Sequence, residues 1–386
     1  MNITVEKNEK NVALLQGLAS KNRVEAAKAQ ESFAAFIGPV IQEIINNAPT
    51  VSALFETFEY NEFDSPSIPL DLYTDVNEED YLRVWSQFEA GGLAYNQPTP
   101  PTNELKFNTY TLDSAVAFMT KYARQGRLDV MAKTMTRLAQ EILFKQEDNS
   151  ALVLLGALAN ATSVLNPKGS TTTKHIIRSH TADQIIPADF LKLFTLIKRV
   201  RSSWAKGTPS SAQSRGLTDM LISPEIGELL RGLAFQPVNT RPGSLTTSGA
   251  TAVPLTDEER MRIYNSAGVP EFYGVSLIEV NEMGVGYKWN SLFDSLAGST
   301  AYPNAWGGSA GTTAFNGSTE EIAIGLDLQS MTSLIRPVAV DSENSDQFVV
   351  EPDDQFPRRS GKVGFYGKLE EGRVLLDDRV LTGLIV

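Results

Sequence analysis

The sequence predicts an α+β protein with more than one compact unit, and three observations carry that prediction. At 386 residues the chain is two to three times the length of a common domain. Stretches with apolar residues three and four apart alternate with stretches that alternate every second residue, and neither period runs throughout. A composition of 42 % hydrophobic and 21 % charged residues is that of a folded chain, not a disordered one.

Taken in order, residues 1–22 are polar, and the first helix starts near Arg23. The segment VEAAKAQESFAAFIGPVIQEIINN (Val24–Asn47) has helical spacing, but Gly38-Pro39 should bend or break it. Ala48–Tyr73 mixes aromatics, prolines and short alternations, as an extended arm lying against another surface would. Two strand-like runs, Ile68–Tyr73 and Glu104–Leu112, flank a stretch with a Gly-Gly and several prolines. This reads as a long two-stranded flap, which needs support because an isolated hairpin is marginal in water. Asp113 is placed to cap a helix ending at Gly126.

From Leu128 to Leu158 neither proline nor glycine intervenes before Gly156, and Leu128, Met131, Met135, Leu138 and Ile142 draw an apolar stripe. That is a long structural helix. Pro187 opens another, running toward Gly207. LTDMLI (Leu217–Ile222) is a strand followed at once by a helix, with Ser223 as cap, Pro224 in the first turn and Glu225 at the positive end of the dipole. Because each residue of this turn has a folding role, Ser223→Asp should be tolerated. Thr256 and Glu259 form a capping box. Strands follow near Pro270–Met283, at Glu320–Leu328 and at Met331–Val340, with a Gly/Ser/Thr/Ala-rich loop at 297–318. The end of the chain reads as a hairpin turning at Glu371-Gly372.

Function classes are narrowed mostly by exclusion. With 34 basic and 46 acidic residues the net charge is −12, and the basic clusters Ile197–Arg201 and Pro357–Arg359 are short, unlike a phosphate-gripping face. No cysteine is present, which excludes disulfides, thiolate metal sites and cysteine nucleophiles. No apolar run approaches the ~20 residues that span a bilayer, and MNITVEKNEKN lacks the apolar core of a secretory signal. GGSAG (Gly307–Gly311) matches the nucleophile-elbow spacing and nominates Ser309. It lacks the preceding apolar strand and following helix, and His175 and His180 both lie upstream of the serine. Those histidines are five apart, not the four of a helical metal pair, and read as surface or hydrogen-bonded residues. Carboxylate groups such as Glu78-Glu79-Asp80 and Asp377-Asp378 match no calcium loop. The residues thus nominate no catalytic, cofactor-binding or metal site, and the chain reads as a non-enzyme.

The order of elements carries a resemblance. SIPLDLY…FEAGGLAYNQPTPPTNELKFNTYTL as an extended loop, LAQEILFKQEDNSALVLLGAL as a spine helix, GLTDMLISPEIGELLRGL as strand–turn–helix, then GVPEFYGVSLIEV and GKVGFYGKLEEGRVLLDDRV follow one another collinearly. Over about residues 50–386 this set resembles the major capsid proteins of tailed double-stranded DNA bacteriophages, the Hong Kong 97 fold. The resemblance implies an N-terminal arm with a helix (1–66) and an extended loop (67–110). It further implies a peripheral domain with the spine helix (111–182 and 341–386) and an axial domain (183–340).

Its implied function is a structural subunit that self-assembles into hexamers and pentamers of an icosahedral head, enclosing double-stranded DNA without binding it specifically. Copies of the chain are the main partners, with scaffolding, portal and decoration proteins as further candidates. The place is the virion, after assembly in the host bacterial cytoplasm. Family members that cross-link use a loop lysine, but Tyr73–Asn103 has none and the first is Lys106, so no cross-link is expected. No N-terminal processing is expected either. By charge, Glu78, Glu79, Asp80 and Glu89 would meet Arg124, Arg127 or Arg199 of a neighbour, although exposed pairs are worth under about 1 kcal/mol each. An encapsulin-like compartment shares the implied fold. A Ser309 hydrolase, or another virion component, is the reading from a different class.

Overall fold

The structure, a computed structural model, describes residues 9–46, 51–69, 104–164, 172–180, 183–204, 216–235, 258, 261, 271–303, 313–328, 333–341, 347–353 and 361–386. Its helices are α1 (Glu9–Leu18), α2 (Arg23–Asn46), α3 (Thr120–Arg124), α4 (Leu128–Asn160), α5 (Pro187–Trp204), α6 (Pro224–Phe235) and α7 (Lys288–Ala297). The strands of the first half are β1 (Glu56–Asn61), β2 (Ser67–Pro69), β3 (Glu104–Lys106), β4 (Tyr110–Met119), β5 (Thr162–Val164), β6 (Thr172–Lys174) and β7 (Ile176–Arg178). Those of the second half are β8 (Asp219–Ile222), β9 (Glu271–Phe272), β10 (Val275–Glu279), β11 (Ala301–Tyr302), β12 (Thr313–Ala314) and β13 (Ile322–Leu326). They continue with β14 (Leu334–Val340), β15 (Phe348–Asp353), β16 (Lys362–Glu371), β17 (Val374–Leu375) and β18 (Leu381–Ile385). The architecture is therefore mixed α+β.

Contacts divide the chain into two units. One contains Met1–Ile68, Leu105–Ala151 and Leu334–Val374, and the other contains Pro69–Glu104, Leu152–Ser333 and Leu375–Val386.

In the first unit β16 is the organising strand. It pairs along ten residues with β4 (Lys362↔Met119 to Glu371↔Tyr110), on its other side with β15, and at Val338↔Glu371 with β14. Strand β1 runs parallel to β14 and ends the strand order. One face of this sheet carries Phe118, Val363, Phe365, Leu369 and Phe348, which form a core with Phe33, Ile37 and Ile41 of α2 and Met131, Met135 and Leu138 of α4. The α4 stripe is buried as its spacing predicts; the side chain of Leu128 lies outside the described residues.

Four expectations for this unit are corrected. Residues 9–18 are helical, because Leu15 and Leu18 add a buried pair to the α2 face. Helix α2 is not broken at Gly38-Pro39: Asn22 Oδ1 accepts from the Val24 amide at 3.3 Å to cap its start, and the buried positions Phe33, Ile37, Ile41 and Ile44 continue across the proline. Their shared packing outweighs a helix-interior proline, which costs about 3 kcal/mol. Asp113 caps no helix, since Tyr110–Met119 is a strand with alternating exposure and only Thr120–Arg124 is helical. Ten residues of pairing with β16 override the helical propensity of SAVAFM.

Nor is the end of the chain a hairpin. Gly372 donates its amide to Pro337 O at 2.8 Å, β17 joins β14, and β18 goes to the other sheet. The strand 334–340, assigned from the sequence to the axial domain, accordingly lies in the first unit, and residues 375–386 lie in the second.

The second unit is built on a six-stranded sheet of order β7-β18-β13-β8-β10-β9. Every residue of β13 and β18 is buried, as expected of central strands. The backbone at Gly325 is so close to its neighbours that an added Cβ would stand 2.5 Å from Leu217 Cδ1. Phe190, Leu193, Ile197 and Val200 of α5 and Ile226 and Leu230 of α6 pack with Met220, Ile222 and Phe272 into one core. The predicted β8–α6 turn is present, and Ser223 Oγ accepts from the Ile226 amide at 3.1 Å. The capping box at Thr256 and Glu259 falls outside the described residues.

Helix α4 has 33 residues, roughly 50 Å of rise. Its residues through Ala151 belong to the first unit and those from Leu152 to the second. The two-stranded ladder of β2 with β3 brings the chain together on either side of residues 70–103, which are themselves outside the described residues.

Candidate functional site

Three polar clusters combine burial with chemistry. In the first unit Glu371, at the end of β16, is fully buried. Its Oε2 accepts from Arg336 Nε at 2.8 Å and Gln146 Nε2 at 2.9 Å, with Arg373 Nη1 at 3.3 Å, and its Oε1 accepts from the Tyr110 hydroxyl at 3.1 Å. Arg373 also donates to Ser150 Oγ at 2.9 Å and Ser52 Oγ at 2.7 Å, and lies 5.5 Å from the Phe55 ring centroid. Burial pushes the Tyr110 hydroxyl up to about 12, helped by the Glu371 charge. Burial also pulls the Arg373 guanidinium down, and Glu371 opposes that. Two arginines, a glutamine and a tyrosine hydroxyl converge on this one carboxylate. This cluster ties α4, β4, β14 and β16 together and acts as a clamp.

In the second unit His175 is fully buried, with Nε2 2.8 Å from Ser163 Oγ and Nδ1 3.1 Å from the Asp378 carbonyl. A carbonyl can only accept, so Nδ1 carries the proton and Ser163 donates to Nε2. This is the geometry of a serine–histidine pair. Here, however, Ser163 is itself buried in the β5–β6 ladder. Burial lowers the histidine below its ordinary value, and the Asp378 and Asp377 charges work against that. A hydrogen-bonded histidine was expected, but its serine partner is twelve residues away in sequence with nothing to signal it. His180 donates its backbone amide to Asp189 Oδ1 at 3.2 Å.

The third cluster surrounds the β8–α6 turn. Ser223 Oγ, besides capping the helix, donates a short hydrogen bond to Glu321. Burial raises the Glu321 carboxyl, the bond from Ser223 lowers it, and the Glu225 charge raises it again. Nearby, Arg178 pairs with Glu320 and donates to the carbonyls of Thr313 and Ala314, both at 3.0 Å, closing the base of the β11–β12 ladder.

Ser309 lies outside the described residues, as do Glu78, Glu79, Asp80 and Glu89. Arg124 and Arg127 are exposed in the first unit, three residues apart at and just after α3, and Arg199 is exposed on α5 in the second. An apolar cleft of about 210 Å³, lined by Leu14, Phe33, Phe36, Ile37, Val40 and Met135 among others, opens between α1, α2 and α4. Among the described residues no group of three histidine, aspartate or glutamate side chains could hold a metal ion, and no helix is long and apolar enough to cross a membrane.

Comparison with protein families finds no match. No curated protein matches the sequence. Solved structures that match include phage capsids and an encapsulin. The capsid of Ralstonia phage GP4 is 10 % identical, with 87 % of this chain and 88 % of that one covered at a TM-score of 0.49. The capsid of cyanophage P-SCSP1u is 15 % identical over 86 % of each chain at 0.46. The SrpI encapsulin of Synechococcus elongatus PCC 7942 is 12 % identical, with 74 % of this chain and 76 % of that one covered at 0.37.

Proposed function

We propose that this chain is the major capsid protein of a tailed double-stranded DNA bacteriophage, with the Hong Kong 97 arrangement that its order of elements resembles. The observation that carries the reading is α4, a 33-residue helix shared by two compact units, each with its own six-stranded sheet. The β2–β3 ladder supports it, because its strands flank residues 70–103, where the resemblance puts an extended loop. The three polar clusters bond largely to internal partners and serve as braces, as a structural subunit would use them. Copies form hexamers and pentamers of an icosahedral shell, and net negative charge lets that shell enclose DNA without salt-dependent attraction to phosphate.

Electron microscopy of the purified chain tests this. Closed shells tens of nanometres wide are expected, and a persistent monomer overturns the reading. Particles from an infected host separate the phage head from an encapsulin-like compartment: packaged genomic DNA supports the former, a folded enzyme cargo the latter. Lacking a loop lysine, the shell holds together without covalent links. Denaturing gels of particles should therefore give a single band at the 42.2 kDa of this sequence, and a ladder would contradict this.

A further inference from the structure

The first unit carries opposite charge at opposite ends of its sheet. Residues 56–64, on β1 and the turn after it, hold the exposed Glu56, Glu59, Glu62 and Asp64; Lys368 pairs with Glu62 at 3.3 Å and Gln347 donates to Glu59 at 2.7 Å, which leaves the patch net acidic. Residues 121–137, on α3 and the start of α4, hold the exposed Lys121, Arg124, Arg127, Lys133 and Arg137 against one acid, Asp129. The register fixes their separation. Glu59 pairs with Val338, which pairs with Glu371 at one end of β16. Helix α3 begins where Thr120 donates its amide to Gly361 O at 2.8 Å, next to the other end of β16. Nine residue steps of strand, roughly 30 Å, lie between. The two patches therefore do not neutralise each other within this unit.

The acidic patch also has the form of a docking edge. β1 ends the strand order of its sheet, Phe58 is 38 % exposed, and Phe63 is 81 % exposed. Carboxylates on and beside a terminal strand repel another such edge and admit a basic surface. A chain of net charge −12 repels its own copies unless the contacting surfaces are complementary.

We infer that the basic end at α3 and the start of α4 docks on the acidic β1 edge of a second copy. Such a contact joins two different surfaces and, repeated head-to-tail, closes into rings when the rotation permits. The inference rests on the capsid reading and names the surfaces that would carry one of its contacts. It assigns Arg124 and Arg127 a partner at β1 instead of at Glu78, Glu79 and Asp80.

The test compares the full chain with Arg124→Glu/Arg127→Glu, with Glu56→Lys/Glu59→Lys, and with all four changes together, by light scattering and negative-stain microscopy. Thermal melts confirm that each variant is folded. Each two-residue reversal should raise the concentration needed for assembly by about tenfold or more at low salt, and the fourfold exchange should restore it. Two results overturn the inference while leaving the capsid reading intact: folded reversals that assemble like the parent chain, or rescue of the arginine reversal by Glu78→Lys/Glu79→Lys instead. A parent chain that never assembles removes both.

Discussion

Ser223 shows how one side chain can do more than its local sequence announces. As a helix cap it is exchangeable with aspartate, and the sequence suggests that replacement is harmless. In the fold its hydroxyl also donates to Glu321, so an aspartate would set a second carboxylate against a half-buried one. Ser223→Asp should therefore lower stability by about 2–3 kcal/mol, whereas Ser223→Thr should cost under about 1, as read by chemical denaturation.

Glu321 has a pH signature of definite sign. Its folded-state pKa is raised above the ordinary 4.5, mainly by burial, so the stability it contributes is present below that pH and lost as pH rises through the elevated value. Glu321→Gln mimics the protonated form; it should raise the melting temperature at pH 7 and flatten its dependence on pH between 7 and 4. His175 works in the opposite direction. Its pKa lies below the ordinary 6.5 because of burial, so its contribution is present above pH 6.5 and is lost as pH falls through the lower folded value.

Among the elements, β16 is the one on which the first unit depends, since β4, β14 and β15 all pair with it and Glu371 terminates it. Glu371→Ala would leave Arg336 and Arg373 buried without their shared carboxylate. A loss of about 3–5 kcal/mol is expected, the range for breaking a buried ion pair from one side. Gly367 makes a second, steric test of the same strand. A Cβ there would stand 2.6 Å from Phe348 Cζ, and the ring is held in the core, so Gly367→Ala should destabilise by about 1–3 kcal/mol through overpacking. Both losses are measurable by urea unfolding of the unassembled chain.

For the whole molecule, the features that matter are those that a lone subunit leaves unused: an acidic terminal strand, a basic helical end and a −12 charge to be managed on association. If docking is electrostatic, assembly should weaken as salt rises. Exposed charges are screened beyond about 8 Å at physiological ionic strength and about 3 Å at 1 M. Light scattering across a salt series checks this, and assembly that strengthens with salt would point to apolar contacts instead.

The sequence by itself determined the elements whose signals are local. The α4 stripe, the Pro187 start of α5 and the Ser223-Pro224 start of α6 needed only helical spacing and capping chemistry. The buried aliphatic runs of β8, β13 and β14 were legible for the same reason. Only the tertiary structure decided that Tyr110–Met119 is a strand, that α2 runs through Pro39, and that the end of the chain parts into two sheets at Gly372. In each case pairing or packing with residues far along the chain outweighs the local preference. The polar clusters were hidden on the same ground: Glu371 meets Gln146, 225 residues away, and Ser223 meets Glu321, 98 residues away. A window of neighbouring residues holds only one half of such a contact.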